Sequence, residues 1–298
     1  MNENDLLLKE KIRKQGQEYY PEIYDPADDW PDNGEPDGLP REKTMGPAVP
    51  KKDSKILFFA GSKGGCGCSF ISNAVAAYYA KSKNKNILLV DLNCGKKDSR
   101  LLFNLSLKSN LRDIGDIEFD FKEIDFNVLK RLVVSLEDSL HIVLPPLKFE
   151  KASLMTGKNL NILLDSLSGL FDLVIVDTPF YLLQDKNIDF LEYADMFILV
   201  TQADLISISN LEVIISNLCL ENMPARFEIV INKFNSKPVI SPPRIISMLK
   251  APVSIFIPYD RDIELLYLTR GPAPMFDYNL RITKAISDFA ESLFEKLF

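Results

Sequence analysis

The 298-residue sequence is poor in histidine and in long apolar runs. Its one histidine, His141, lies within the apolar run 140–144, so we predict a structural strand residue and no histidine-centred catalysis. No apolar run reaches the length of about 18 residues that a membrane-spanning helix needs, so no such helix is expected. The chain begins with acidic and polar residues, which predicts that no secretory signal is present.

A basic excess is also missing, since 35 Lys and Arg face 42 Asp and Glu and the net charge is −7. A protein that binds nucleic acid normally presents a basic surface, so no nucleic-acid partner is expected. Hydrophobic residues make up 46% of the chain, which is enough for one large α/β core but not for two.

Cysteines are few, and their spacing does not suggest a metal site. Apart from the pair Cys66 and Cys68, which one glycine separates, Cys94 and Cys219 stand alone in the sequence. We therefore expect reduced thiols, as in a protein of the cytosol.

Residues 1–53 differ in composition from the rest of the chain. The stretch 20–38 holds seven acidic residues, four prolines and no basic residue. Such a segment buries too little apolar surface to offset its ordering entropy, so we predict a mostly disordered acidic tail. It is either a solvating linker or a docking peptide that uses Tyr20, Tyr24 and Trp30.

From residue 54 to residue 298, apolar runs of strand length alternate with helical patterns. The predicted strands are 55–60, 86–91, 140–144, 172–177, 195–200, 227–232 and 253–257. The predicted helices are 69–81, 124–138, 157–169, 205–219, 241–249, 261–268 and 279–297. This alternation predicts one α/β domain, with a single doubly wound and mostly parallel sheet of about seven to eight strands.

A glycine-rich loop joins the first predicted strand to the first predicted helix. It runs from Gly61 to Ser69, between the apolar run 56–60 and the helical pattern that follows. Glycines let the backbone point its N–H groups inward, and the helix N-terminus favours an anion, so this arrangement predicts a phosphate cradle. A phosphate-binding loop normally carries lysine before its Ser or Thr, but Cys68 stands there. A tight turn without any ligand is the alternative.

The loop resembles the deviant Walker A signature x-K-G-G-x-G-K-S/T of the MinD/ParA family of dimeric ATPases. The sequence retains Lys63 as the signature lysine, followed by glycines at 64, 65 and 67 and by Ser69. It departs from the signature at Cys68 and at Phe70, where a small hydroxyl residue is usual. The resemblance is closest to the CpaE/TadZ branch, whose members often lack the same loop lysine.

Two further motifs resemble the acidic motifs of this family. Asp91 and Asn93 stand where the family has D-x-D, so the residue that would position the attacking water is an amide, which is not a general base. Asp177 ends an apolar strand pattern in the manner of Walker B. The resemblance implies Mg²⁺ ligands at Ser69, Asp91 and Asp177, and degenerate catalytic positions at Lys63 and Asn93.

The base of a nucleotide would meet two later segments. Asn232 and Lys233 resemble the pair with which the family reads adenine, and Pro258 and Asp260 resemble the loop that flanks the base. The nucleotide site implied by the resemblance consists of Gly64, Gly65, Cys66, Gly67, Cys68, Ser69, Phe70, Asn232, Lys233, Pro258 and Asp260.

The predicted C-terminal helix 279–297 has apolar residues at helical spacing. The polar face carries more acidic than basic side chains, whereas helices on membrane surfaces prefer lysine and arginine. We therefore predict that this helix packs on the sheet, and that any membrane contact is indirect.

The resemblance implies a cytoplasmic positioning protein of the CpaE/TadZ type. It would bind ATP and Mg²⁺ weakly, hydrolyse ATP little or not at all, form a homodimer and serve a pilus or secretion machine. We expect it at a cell pole, or peripheral to the inner membrane through its partners. The alternatives are a scaffold that binds no nucleotide and a slow MinD-like ATPase. A helix N-terminus also lowers thiol pKa values, which leaves a reactive Cys68 open.

Overall fold

The computed structural model describes residues 54–105, 111–117, 119, 124–184, 193–220, 226–235 and 240–298. The segment 1–53, for which we predict a mostly disordered tail, lies outside the described residues. The division of the chain into this tail and a domain at 54–298 therefore stays a prediction.

Eight strands and eight helices follow each other within the described part of the chain. The strands are β1 (Lys55–Gly61), β2 (Ile87–Asp91), β3 (Val133–Glu137), β4 (Leu140–Val143), β5 (Leu173–Thr178), β6 (Met196–Gln202), β7 (Phe227–Phe234) and β8 (Ile255–Pro258). The α-helices are α1 (Cys68–Ser82), α2 (Asp98–Leu102), α3 (Phe126–Leu132), α4 (Gly157–Leu167), α5 (Leu205–Leu220), α6 (Pro242–Leu249), α7 (Arg261–Arg270) and α8 (Arg281–Leu297). Short 3-10 helices occur at Ile114–Asp116, Phe149–Leu154, Phe180–Gln184 and Ala273–Asp277.

All eight strands belong to one sheet, in the order β3-β4-β2-β5-β1-β6-β7-β8. Every neighbouring pair is parallel except β3 and β4, which pair antiparallel at one edge. Because β1 lies between β5 and β6, the loop after β1 opens at the centre of the sheet. The predicted doubly wound, mostly parallel sheet is confirmed.

The sheet is covered on both faces, which explains why its central strands are continuous apolar runs. Ile56, Phe58 and Ala60 of β1 point into one core layer, which α4, α5 and α6 complete. Leu57 and Phe59 point into the other, which α1, α7 and α8 complete. Burial on both sides anchors β1 firmly and so gives the loop that follows it a rigid base.

The segment 124–138 differs from its prediction as one helix. Only its first part is helical, as α3, and Val133–Glu137 forms β3. The second half of the prediction is wrong because residues 133–137 pair with β4 through a tight turn at 138–139. Pairing with a sheet edge is a tertiary interaction, and it outweighs a local helical pattern.

Two other predictions concern structural positions. The apolar side of α8 is buried on the sheet and against α1, at Ile282, Ile286, Phe289 and Leu293, which confirms the predicted packing. His141 is buried in β4 with its ring nitrogens hydrogen-bonded to Ser135 and Asn86, as expected of a structural strand residue. None of the described helices combines the length and hydrophobicity that a membrane crossing requires.

Candidate functional site

The glycine-rich loop connects β1 to α1 at the carboxyl edge of the sheet. Gly67, directly before α1, has φ +93°, a left-handed conformation that L side chains rarely adopt. A Cβ added to Gly67 would lie 2.2 Å from Asn232 Nδ2, so a larger residue would also push that side chain away. Glycine is therefore required here by backbone conformation and by space.

Gly64 and Gly65 form the open part of the loop. A Cβ added to either would meet nothing within 4 Å, so the space in front of both is free. The same test at Gly61 places a Cβ 2.5 Å from Cys66 Sγ, which means that the base of the loop is tightly packed. A tight base under an open rim is the shape of a cradle.

Lys63, which the sequence predicts to be a signature lysine, is held by a residue of its own chain. Its ammonium donates a 2.8 Å hydrogen bond to Asp204 Oδ2, just before α5. Burial acts against ionisation of Asp204, but hydrogen bonds from Lys63 and Ser207 outweigh it and lower the pKa of Asp204 to about 2. Both partners of this ion pair remain partly exposed to solvent.

Two carboxylates lie side by side next to the loop. Asp91 ends β2 and Asp177 lies in β5 at the paired position, and they are only 3% and 2% exposed. The side chain of Asn93 lies between them. Its Nδ2 donates hydrogen bonds of 2.9 Å to Asp91 Oδ1 and of 2.9 Å to Asp177 Oδ2.

Other donors complete the surroundings of both carboxylates. The Asn93 backbone N–H and the Ser99 hydroxyl donate to Asp91, while the Ser69 hydroxyl and the Cys68 thiol lie near Asp177. Burial raises the pKa of Asp177, and the charge of Asp91 raises it further. Burial likewise raises the pKa of Asp91.

Cys68 faces these acids in its protonated form. Burial raises the pKa of its thiol well above the ordinary value, and the negative charge of Asp177 adds to the effect. The raised pKa argues against the hypothesis of a reactive Cys68, because burial and neighbouring acids outweigh the helix dipole. Cys66, Cys68 and Cys94 are all free thiols, as predicted.

A cavity of about 280 Å³ opens beside the loop, on the side of β7 and β8. Its lining includes seven predicted site residues, namely Gly67, Ser69, Phe70, Asn232, Lys233, Pro258 and Asp260. Phe70 packs against Tyr267 with ring centroids 4.6 Å apart, and the Tyr267 hydroxyl donates to the Ser69 carbonyl. Aromatic surface beside a phosphate cradle can hold a planar base.

Two of the residues predicted to contact the base have structural tasks as well. Asn232 uses Nδ2 to donate to the Cys66 carbonyl, at 3.0 Å, and so joins β7 to the loop. Asp260 caps α7 by accepting from the backbone N–H groups of Asp262 and Ile263.

The structure thus brings all predicted site residues to one edge of the sheet, and their roles toward a ligand stay predictions. Four further residues were not predicted: Ser99, Gln202, Asp204 and Tyr267. Gln202 donates to the Gly65 carbonyl at 3.1 Å, and it comes with Asp204 directly after the predicted strand 195–200. Their position after a strand was the one available signal, because parallel strands place their carboxyl ends together.

Comparison with known proteins identifies the fold. No protein-family model matches the sequence, and no curated protein matches it. Among solved structures, a ParA family ATPase from Chlorobium tepidum TLS superposes with a TM-score of 0.70 and 24% identity, covering 82% of this chain and 100% of that one. The chain has the ParA/MinD fold.

Two MinD structures share the ParA/MinD fold with this chain at lower identity. The cell division protein MinD of Aquifex aeolicus has a TM-score of 0.62 and 21% identity, over 81% of this chain and 98% of that one. The septum site-determining protein MinD of Pyrococcus horikoshii OT3, complexed with Mg-ADP, has a TM-score of 0.64 and 16% identity, over 80% and 96%.

The ParA/MinD fold implies a nucleotide and a magnesium ion, and the two differ in how well they suit this site. The free space before Gly64 and Gly65, the N-terminus of α1 and the adjoining cavity suit a nucleotide. Magnesium prefers oxygen ligands such as Asp91 and Asp177, but the Asn93 amide already bridges these two acids. The carboxylate oxygens as arranged therefore do not fit the cation. Within the described residues, no group of three His, Cys, Asp or Glu side chains could hold a metal.

Proposed function

We propose that this protein binds ATP at the glycine-rich loop, hydrolyses it little or not at all, and acts as a dimeric positioning factor. The observation that carries the proposal is that the same loop has free space before Gly64 and Gly65 and, at Gly67 and Ser69, lines the cavity that Asn232 also lines. Backbone N–H groups and the positive end of a helix dipole attract phosphates without any lysine.

Weak turnover follows from two residues that lack the usual chemistry. Cys68 offers a protonated thiol where a phosphate-binding loop normally offers a lysine ammonium. Asn93 offers an amide, and both N–H groups of its side chain already donate hydrogen bonds, one to Asp91 and one to Asp177. Charge-stabilising contacts of this kind contribute about 3–4 kcal/mol each to a transition state, so losing both predicts very slow hydrolysis.

A face-to-face dimer is the second part of the proposal. Lys63 and Asp204 lie beside Leu205 and Ile206, whose side chains are 62% and 69% exposed at the start of α5. Large exposed apolar residues next to a signature lysine support a subunit interface at this edge. In such a dimer Lys63 would leave Asp204 and reach the nucleotide of the partner subunit.

The cellular role follows the CpaE/TadZ resemblance. We propose a cytoplasmic protein that localises a pilus or secretion machine, at a cell pole or at the inner membrane through partner proteins. The structural neighbours include proteins described as acting in cell division and plasmid partition, which supports a positioning role in general. With a net charge of −7, a nucleic-acid partner is not part of the proposal.

A scaffold that binds no nucleotide is the second candidate. One specific observation favours it: the polar groups expected to bind the ligand already satisfy each other, as Asn93 does with two acids and Asn232 with the loop. A slow MinD-like ATPase is the third, with Lys63 replacing the missing lysine. Nucleotide affinity separates the first candidate from the second, and turnover separates the third from both.

Isothermal titration with ATP and MgCl2 tests the proposal on wild type, Lys63→Ala and Lys55→Ala. Lys55 is a matched control because it forms a comparably exposed ion pair with Asp195 away from the loop. We expect micromolar binding that weakens in Lys63→Ala alone, and a phosphate-release rate near background. No heat and no change in melting temperature at millimolar ATP would favour the scaffold, whereas steady phosphate release would favour the slow ATPase.

A further inference from the structure

The site holds two acids that face each other across one hydrogen-bonded strand pair. Asp91 and Asp177 are opposite residues of β2 and β5, and water reaches neither of them to any extent. Two buried carboxylates on directly paired residues of neighbouring strands repel each other strongly unless a cation or a set of donors lies between them. What lies between them therefore decides what the site can bind.

Asn93 supplies the group between the acids. Its NH₂ group has two hydrogens, and each is donated to a different carboxylate over 2.9 Å. The backbone N–H of Asn93 adds a third bond, of 2.8 Å, to Asp91 Oδ1. One neutral amide thus makes the contacts to both acids that a bridging cation would otherwise make.

The second oxygen of Asp91 is also in use, because the Ser99 hydroxyl donates to it. An ionised carboxylate has about four acceptor positions, so the three hydrogen bonds that Asp91 accepts leave it little room for a metal. Asp177 Oδ2 accepts from the same Asn93 amide. Lys96 contributes a positive charge near Asp177 as well. A cation would have to displace Asn93 to bind both acids.

We propose that the Asn93 amide replaces the divalent cation at this site, so that the nucleotide bound here is the metal-free triphosphate. The inference rests on the proposed function for the identity of the ligand, but the replacement of the cation is testable without any nucleotide. The phosphates are neutralised by loop N–H groups, by the N-terminus of α1 and by Lys63, and the acids keep their geometry through Asn93.

The first experiment follows thermal melting of the full chain in EDTA and in millimolar MgCl2, without nucleotide. The variants are Asn93→Asp, which adds a third acid, and Asn127→Asp, which makes the same change on the exposed side of α3. We expect wild type and Asn127→Asp to have the same melting temperature in EDTA and in MgCl2. Asn93→Asp should melt lower in EDTA and recover in MgCl2.

A second variant keeps the test decisive if Asn93→Asp does not fold. Asn93→Ala removes the bridging donor without adding charge, so it should also gain a melting response to MgCl2. The proposal is overturned if MgCl2 stabilises wild type as much as it stabilises either Asn93 variant, or if neither variant responds to MgCl2.

The second experiment measures ATP affinity calorimetrically in the same two buffers. Wild type should bind ATP equally in EDTA and in MgCl2, whereas Asn93→Asp should bind at least about tenfold more weakly in EDTA, a change of about 1.4 kcal/mol. Wild-type binding that needs MgCl2 would overturn the inference and leave the proposed function intact. Absence of ATP binding in both buffers would overturn the proposed function, while the melting experiment still decides the role of Asn93.

Discussion

Lys63 and Asp204 form an ion pair within one chain, with Nζ 2.8 Å from Oδ2, at the edge where the proposed dimer would form. Lys63 comes from the loop after β1, and Asp204 comes from the loop after β6, the neighbouring strand. The pair therefore keeps Lys63 folded back on its own subunit. In the proposed dimer Lys63 would leave Asp204 to reach the partner subunit.

Asp204→Asn should favour the dimer, because it weakens this ion pair. A partly exposed pair contributes only about 0.2–1 kcal/mol, and a homodimer breaks two of them, so we expect ATP-dependent dimerisation to strengthen by at most about thirtyfold. Lys63→Ala should abolish it. Sedimentation velocity with and without ATP measures both effects. Asp277→Asn, which breaks the exposed pair with Lys81, is the control and should change nothing.

An Asp204→Asn variant that dimerises more weakly than wild type in ATP would contradict this interpretation. It would mean that Asp204 stabilises the interface itself.

Gly67→Ala should destabilise the protein and abolish ATP binding. Its left-handed φ of +93° costs an L residue about 1–2 kcal/mol, and the new Cβ would displace the Asn232 amide. Gly64→Ala is the matched substitution in the same loop, where a Cβ meets nothing. It should change the free energy of unfolding by less than about 0.5 kcal/mol.

Chemical denaturation and calorimetry measure both glycine variants. If Gly64→Ala also loses ATP affinity while staying stable, the ligand occupies the space before Gly64 as proposed. Equal stability of the two variants would contradict the structural role of Gly67.

Asp177→Asn should stabilise the protein above neutral pH. Burial, followed by the charge of Asp91, raises the pKa of Asp177 to about 7, against about 3.9 in an unfolded chain. Between these values the folded state binds the extra proton, so the free energy of unfolding falls as pH rises from about 4 to about 7. The variant escapes this loss and should be roughly 4 kcal/mol more stable at pH about 8.

Denaturation at a series of pH values checks the Asp177 prediction. The advantage of Asp177→Asn should shrink toward zero as pH falls below about 4, where both states of wild type carry the proton. Asp165→Asn, a change at an exposed position of α4, should track wild type at every pH. An advantage that does not depend on pH would contradict the assignment.

His141 should titrate below the usual value, because burial lowers its pKa. Its folded pKa therefore lies under the unfolded value of about 6.5, and its contribution to stability is present above that pH and is lost as pH falls. Since the chain has one histidine, its ring proton signals in an NMR titration need no assignment. His141→Gln should remove this part of the pH dependence, and a pKa above the unfolded value would refute the expectation.

Cys68→Lys should tighten ATP binding without restoring turnover. A charge-assisted hydrogen bond to phosphate contributes about 1.5–3 kcal/mol, which corresponds to roughly tenfold or more in affinity. Cys68→Ala separates loss of the thiol from gain of the ammonium, and should not tighten binding. Hydrolysis should stay slow in both because Asn93 is unchanged. Unaltered affinity in Cys68→Lys would mean that the ligand phosphates do not lie against the start of α1.

Much of the fold could be predicted from the sequence because its central strands are buried on both faces. The continuous apolar runs of β1, β5 and β6 identify these strands without knowledge of their neighbours. Edge strand β3 could not be predicted in this way, because its burial changes along its length and its strand conformation depends on pairing with β4. The helical sequence pattern of α3 continues through the residues of β3.

The site was predictable where a motif determines residue types, and was not where contacts join distant segments. Gly67, Asp91 and Asp177 belong to recognisable patterns at strand ends. The position of the Asn93 amide between Asp91 and Asp177 depends on the register of β2 against β5, and no local sequence pattern contains this register. The pairing of Lys63 with Asp204 likewise depends on strand order, since 141 positions separate the two residues in sequence.

The chemical state of the bound nucleotide tests the central claim most directly. The full chain is incubated with ATP, separated rapidly from free nucleotide, denatured, and its bound nucleotide is identified by ion-exchange chromatography over several hours. Bound nucleotide that stays ATP, and that is lost in Gly67→Ala, is the predicted result. Conversion of the bound ATP to ADP on this time scale, or protein that carries no nucleotide at all, would contradict a positioning protein that holds ATP without hydrolysing it.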